Sequence, residues 1–164
     1  KLMEMLPLDP SIDITQYETI ASGKFTVHQA WSGDLIAGRW YLPKGTSSDV
    51  LGYWVPDAVS DRVIGNDNIA IPKSSPSPVL AHTFLNYILD NDVSLKNFNW
   101  NGYQPPLNKL TPEFLVDEGY VPESVTNAVV QPEDFAEGIQ GYETTPAVQN
   151  LYLAAFQEFQ SGGS

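Results

Sequence analysis

Residues 27–40 read VHQAWSGDLIAGRW. Two apolar runs, Val27 to Ala30 and Leu35 to Gly38, flank the tetrapeptide Trp31-Ser32-Gly33-Asp34. The first run, extended back to Phe25, reads as a strand over 25–30, and the second begins a helix at Leu35. Ligands of α/β proteins collect where a strand hands over to a helix, because loops converge there. An indole and a carboxylate at this point have two readings. Trp31 can belong to the core while Asp34 caps the helix. Alternatively the pair faces a cation, the indole through its π-face and the acid through a charge-assisted hydrogen bond.

Outward from this stretch, strands and helices alternate. Residues 11–22 (SIDITQYETIAS) place Ile14, Tyr17 and Ile20 at three-residue spacing, a short amphipathic helix stopped by Gly23. VLGYWV (50–55) reads as a second strand, ended by Pro56-Asp57, and NIAI (68–71) as a third, closed by Pro72. After KSSPSP (73–78), with Pro78 suited to a first helical turn, comes VLAHTFLNYILDN, whose Leu80, Phe84, Tyr87 and Ile88 lie at helical spacing. Such an aromatic stripe is more often core than ligand site. NGYQPP (101–106) is a loop. Residues 107–146 are Pro-rich and irregular, with helical turns after Thr111-Pro112 and Val121-Pro122, and 146–160 form a closing amphipathic helix. This alternation indicates an α/β fold.

Composition removes several function classes. A net charge of −12 over 164 residues argues against nucleic acid, which needs clustered Lys and Arg. The same charge suits either plain solubility or a cationic ligand. With no cysteine, disulfides and thiolate metal sites are excluded. Two histidines, at 28 and 82, suggest neither a metal cluster nor a Ser-His-Asp triad, and His28 reads as a core or flanking residue. Neither metal nor cofactor is expected. No apolar stretch nears the ~20 residues of a membrane span. The opening KLMEMLPLDP does not read as a natural N-terminus, and the SGGS end reads as a tail.

Four stretches in order, AWSGD (30–34), NDNIAIP (66–72), FLNYILDNDVSLKN (84–97) and NGYQPPLN (101–108), resemble the C-terminal half of a bacterial ABC-transporter solute-binding protein of the polyamine (spermidine/putrescine) type. The resemblance runs over roughly residues 15–160. It implies a fragment of the two-lobed periplasmic-binding-protein (type II) fold, an α/β fold whose ligand sits between lobes. Residues 1–64 would belong to the second lobe, 65–110 would return to the first, and 111–164 would carry an irregular stretch and a helix back to the second. The missing partners would be the N-terminal half of the parent and a membrane ABC permease. The location would be the periplasm or the outer face of the cytoplasmic membrane. The isolated chain is expected to bind amine weakly and to self-associate.

By this resemblance Trp31, Asp34, Asp67 and Tyr103 would line the cleft, and Glu143, with Tyr142 beside it in GYETT, would offer a further polar contact. Read from its residues alone, Asn66-Asp67-Asn68 is equally turn chemistry, and Tyr103 a packing residue. Where the family carries a bulky aromatic two residues before its acid, this chain has Gly65. Either Trp54 or Trp100 fills that wall, or the ligand is wider than a polyamine. The function implied is amine binding without chemistry. Another amine, amino-acid-like or opine-like solute is the alternative within the fold. A glycoside-acting enzyme would need two carboxylates about 5–9.5 Å apart, such as Asp34 and Asp67, but no further catalytic group accompanies them. A carbohydrate-binding β-sandwich is disfavoured by the helices at 78–90 and 146–160.

Overall fold

The computed structural model describes residues 15–141 and 144–161. It forms two compact units, and the larger, Thr15–Ile139, contains almost all of the described chain. Within this unit six helices follow one another: α1 (Gln16–Ala21), α2 (Ser32–Gly38), α3 (Pro78–Ile88), α4 (Asn91–Asn101), α5 (Pro112–Asp117) and α6 (Pro132–Glu137). Short 3-10 turns at Arg39–Tyr41, Ser48–Val50, Val59–Asp61 and Glu123–Ala128 punctuate the irregular chain between them. Two-residue strands β1 (Val63–Ile64) and β2 (Ile139–Gln140) pair, the Ile139 N–H donating to the Arg62 carbonyl at 2.7 Å.

The three stretches expected as strands, 25–30, 50–55 and 68–71, are not strands in this structure. A strand is stabilised by ladder bonds to a neighbour, and an apolar run alone supplies none. Leu51 shows the outcome: it is extended (φ −85°, ψ 137°) and buried, but as a single residue dropped into the helical core.

That core gathers Leu35 and Ile36 of α2, Leu95 and Phe98 of α4, Leu51, Leu110, Leu115 of α5, and Val121, Val125, Ala128 and Val129. Phe98, Leu115 and Val125 are completely buried. Each large side chain so buried contributes about 1.5–3 kcal/mol over its exposed state. Local signals start and stop the core helices. Asp90 caps α4, its carboxylate accepting from the Asp92 and Val93 N–H groups, and Gly102 ends it in the left-handed region at φ 75°. Thr111 caps α5 ahead of Pro112 in the same way.

Two polar clasps tie the periphery. Arg62 donates to Asp134 at 2.9 Å and to the Pro56 carbonyl at 2.9 Å, while the other Asp134 oxygen accepts from the Gln131 N–H at 2.7 Å. At the end of α4, the Asn99 carbonyl accepts from the Trp40 indole N–H (2.6 Å) and the Arg39 guanidinium (3.3 Å). The smaller unit contains α7 (Pro146–Gln160), with the span expected from sequence and capped by Thr145.

Candidate functional site

Helix α2 starts at Ser32, three residues earlier than the apolar pattern suggests, so Trp31 is its N-cap residue. An indole has no acceptor for the free N–H groups, and no side-chain cap is made. Trp31 is instead 57% exposed, which overturns its reading as a core residue. Asp34 falls inside the first turn and does not cap the helix either. Its Oδ1 accepts a hydrogen bond from the Tyr103 hydroxyl at 2.9 Å.

Tyr103 reaches Asp34 from 69 residues away because of what surrounds the end of α4. The left-handed turn at Gly102 reverses the chain, its N–H donating back to the Phe98 carbonyl at 2.8 Å. The Asn101 side chain accepts from the Tyr103 N–H at 2.9 Å and sets the next residue. Gln104 then fastens the loop: its Oε1 accepts from the Val130 N–H (2.6 Å) and its Nε2 donates to the Val130 carbonyl (3.2 Å). The phenol ring lies against Gly33, so closely that a Cβ there would sit 2.6 Å from ring carbons. Gly102 meets the same backbone, since a Cβ on it would overlap the Gly33 carbonyl oxygen.

Electrostatics adds Asp67 to the group. The Tyr103 phenol is held well above the ordinary tyrosine value, first by burial, then by its hydrogen bond to Asp34, then by the charges of Asp34 and Asp67. Tyr103 is therefore a neutral donor toward Asp34 that keeps its oxygen lone pairs. Asp67 itself is exposed in the loop after β1. Neither Asp34 nor Asp67 has an ion-pair partner among the described residues, whereas Asp134 is neutralised by Arg62. Among the described residues there is no group of three or more His, Cys, Asp or Glu placed to hold a metal.

Of the four residues expected at the site, Asp34 and Tyr103 are in contact, the charge of Asp67 acts on the Tyr103 phenol, and Trp31 stands exposed three residues before Asp34. Tyr142 and Glu143 lie outside the described residues. The space beside Gly65 is open, with no atom within 4 Å of where its Cβ would stand. Trp54 is 80% exposed, and Trp100 stacks on Trp40 with ring centroids 6.5 Å apart. His28 packs edge-on against Phe25 at 5.4 Å, and its buried Nε2 has no hydrogen-bond partner among the described residues. Gly33 and Gly102 carry no functional group to mark them in the sequence, although each stands directly beside a candidate residue, and no helix among the described residues is long and apolar enough to cross a membrane. No family model matches the chain, and no curated protein or solved structure aligns with it significantly.

Proposed function

We propose that this chain is the amine-binding C-terminal half of a two-lobed, extracytoplasmic solute-binding protein serving an ABC importer, and that it performs no chemistry on its ligand. The observation that carries this reading is the Tyr103–Asp34 hydrogen bond of 2.9 Å, with the Asp67 charge acting on the same phenol and Trp31 exposed at the start of the helix that carries Asp34. An alkylammonium needs carboxylate acceptors for its N–H groups and a flat π-surface for its polarised methylenes. The indole contact contributes about 0.5–2 kcal/mol, depending on desolvation. The acidic balance of the chain draws cations toward the site from a distance. A preceding half of the protein supplies the opposite cleft wall, and the ligand is putrescine, spermidine or a related amine.

Titration calorimetry on the protein with both lobes tests the reading. Polyamine binding at micromolar affinity or tighter is expected, and Asp67→Asn weakens it by about 1.5–3 kcal/mol, the range for a hydrogen bond to a charged group. Absence of heat with every polyamine, together with binding of a neutral sugar, would overturn the amine assignment. The open space at Gly65 supports a second reading within the same fold: an amine carrying a wider substituent, amino-acid-like or opine-like.

A further inference from the structure

We propose that Gly33 and Gly102 are positioning residues for the Asp34–Tyr103 pair, fixing the phenol against the carboxylate before any ligand arrives. Three contacts converge on this one point of the chain. The Tyr103 ring rests on the Gly33 Cα, where a Cβ would come within 2.7 Å of three ring atoms. Gly102 lies on the Gly33 carbonyl and close to the Ala37 N–H, with no room for a side chain and φ at 75°. Asp34, the residue after Gly33, receives the phenol hydroxyl at 2.9 Å. Glycine at 33 works against the helix, since Gly is a poorer helix former than Ala. The close approach is what the helix gains in exchange. Burial of Gly33 and Gly102 on both sides of the contact holds the loop to α2 as a unit. Tyr103 then occupies one oxygen of Asp34, which leaves the other oxygen and the phenol lone pairs facing outward in a fixed relation. An arriving N–H donor meets acceptors already in place, so less ordering is lost on binding.

The consequence for affinity rests on the amine-binding reading, whereas the positioning does not, and the test separates them. The phenol is followed by carbon NMR of ring-labelled tyrosine, with Tyr103→Phe identifying the resonance. In the unmodified chain that resonance stays protonated to higher pH than an ordinary tyrosine. In Gly33→Ala it is expected to titrate at lower pH, and Asp34→Asn gives the same direction of change. A folded Gly33→Ala chain with an unaltered Tyr103 titration would overturn the proposal. If Gly33→Ala unfolds, the double variant Gly33→Ala/Tyr103→Ala decides. Removal of the ring should make alanine at 33 harmless, so the double variant should melt no lower than Tyr103→Ala alone. A double variant as unstable as Gly33→Ala would also overturn it. Putrescine titration of the protein with both lobes completes the set, with about a 10-fold loss expected in Gly33→Ala. If the unmodified protein ignores putrescine while the phenol result stands, the ligand reading fails and the positioning survives.

Discussion

Helices α2 and α4 and helix α3 were all written with apolar residues, but they met different fates. In the seven residues of α2, five are buried, and α4 buries Ser94, Leu95 and Phe98. The eleven residues of α3 include none that is buried, although Leu80, Phe84 and Tyr87 form a regular stripe. Only Ile88, at the edge of that stripe, and Ala81 and Leu85 next to it are half-covered. The two regions show that periodicity secures a helix, while burial depends on whether a surface of matching shape arrives. For α2 it arrives as α1, α4 and the turn at Glu123–Ala128; for the outer stripe of α3 nothing among the described residues does.

The sharpest way to break this contrast is to truncate one phenylalanine from each region. Phe98→Ala should cost about 3–5 kcal/mol, the range for emptying a fully enclosed aromatic site. Chemical denaturation midpoints measure it, and a loss below about 1 kcal/mol would mean that the α2–α4 junction is loosely packed. Next in size, Gly102→Ala should cost about 2–4 kcal/mol, combining left-handed strain with overlap onto Gly33. Gly119→Ala isolates the strain, since Gly119 has φ 73° with open space around it, and should cost about 1 kcal/mol. Equal losses at the two glycines would show that the approach at Gly102 is not tight.

Smaller still is a pH effect carried by Tyr103. Its proton is held more tightly in the folded chain than in the unfolded one, by burial and by Asp34. The resulting stability is fully present below the ordinary tyrosine value of about 10 and falls as pH rises above it, because the unfolded chain releases its proton first. Urea midpoints at about pH 8 and 11 should therefore diverge less in Tyr103→Phe than in the unmodified chain. Tyr53, raised by burial alone, accounts for part of what remains. Least of all, Phe84→Ala on the outer stripe of α3 should change stability by no more than about 0.5 kcal/mol. A larger loss, measured the same way, would reveal a partner for that stripe.

Helix α3 was legible because Pro78 at its first position and an uninterrupted apolar repeat are both local signals. The span of α7 and the turn after Thr111-Pro112 were legible for the same reason. Helix α4 was not separated from its predecessor, since NDVSLKNFNWN is rich in asparagine and buries only a narrow face. The usable sign was its punctuation, Asp90 before it and Gly102 after it. The expected strands failed at Phe25–Ala30, Val50–Val55 and Asn68–Ile71 because a strand requires a partner that no short window of sequence contains. At the site, Trp31, Asp34, Asp67 and Tyr103 are singled out through the family resemblance, since their chemistry alone leaves a core residue, a helix cap, a turn and a packing residue open. The bond from Tyr103 to Asp34 was not legible, because it depends on two glycines whose role is the absence of a side chain.

The meeting of Trp40 and Trp100 has an optical consequence. Their rings lie 6.5 Å apart and within 25° of parallel, one from the turn after α2 and one from the last turn of α4. Excited states of two indoles this near are shared, and the sharing vanishes once the helices separate. The Arg39 guanidinium, 4.7 Å from the Trp40 ring, perturbs that indole further. Circular dichroism of the coupled indole bands thus reports the seam between α2 and α4 directly. Once the exposed Trp54 is replaced by Phe, emission from Trp31, which has no ring partner among the described residues, follows the N-terminal end of the same helix, so one cuvette holds separate readouts of scaffold and candidate site.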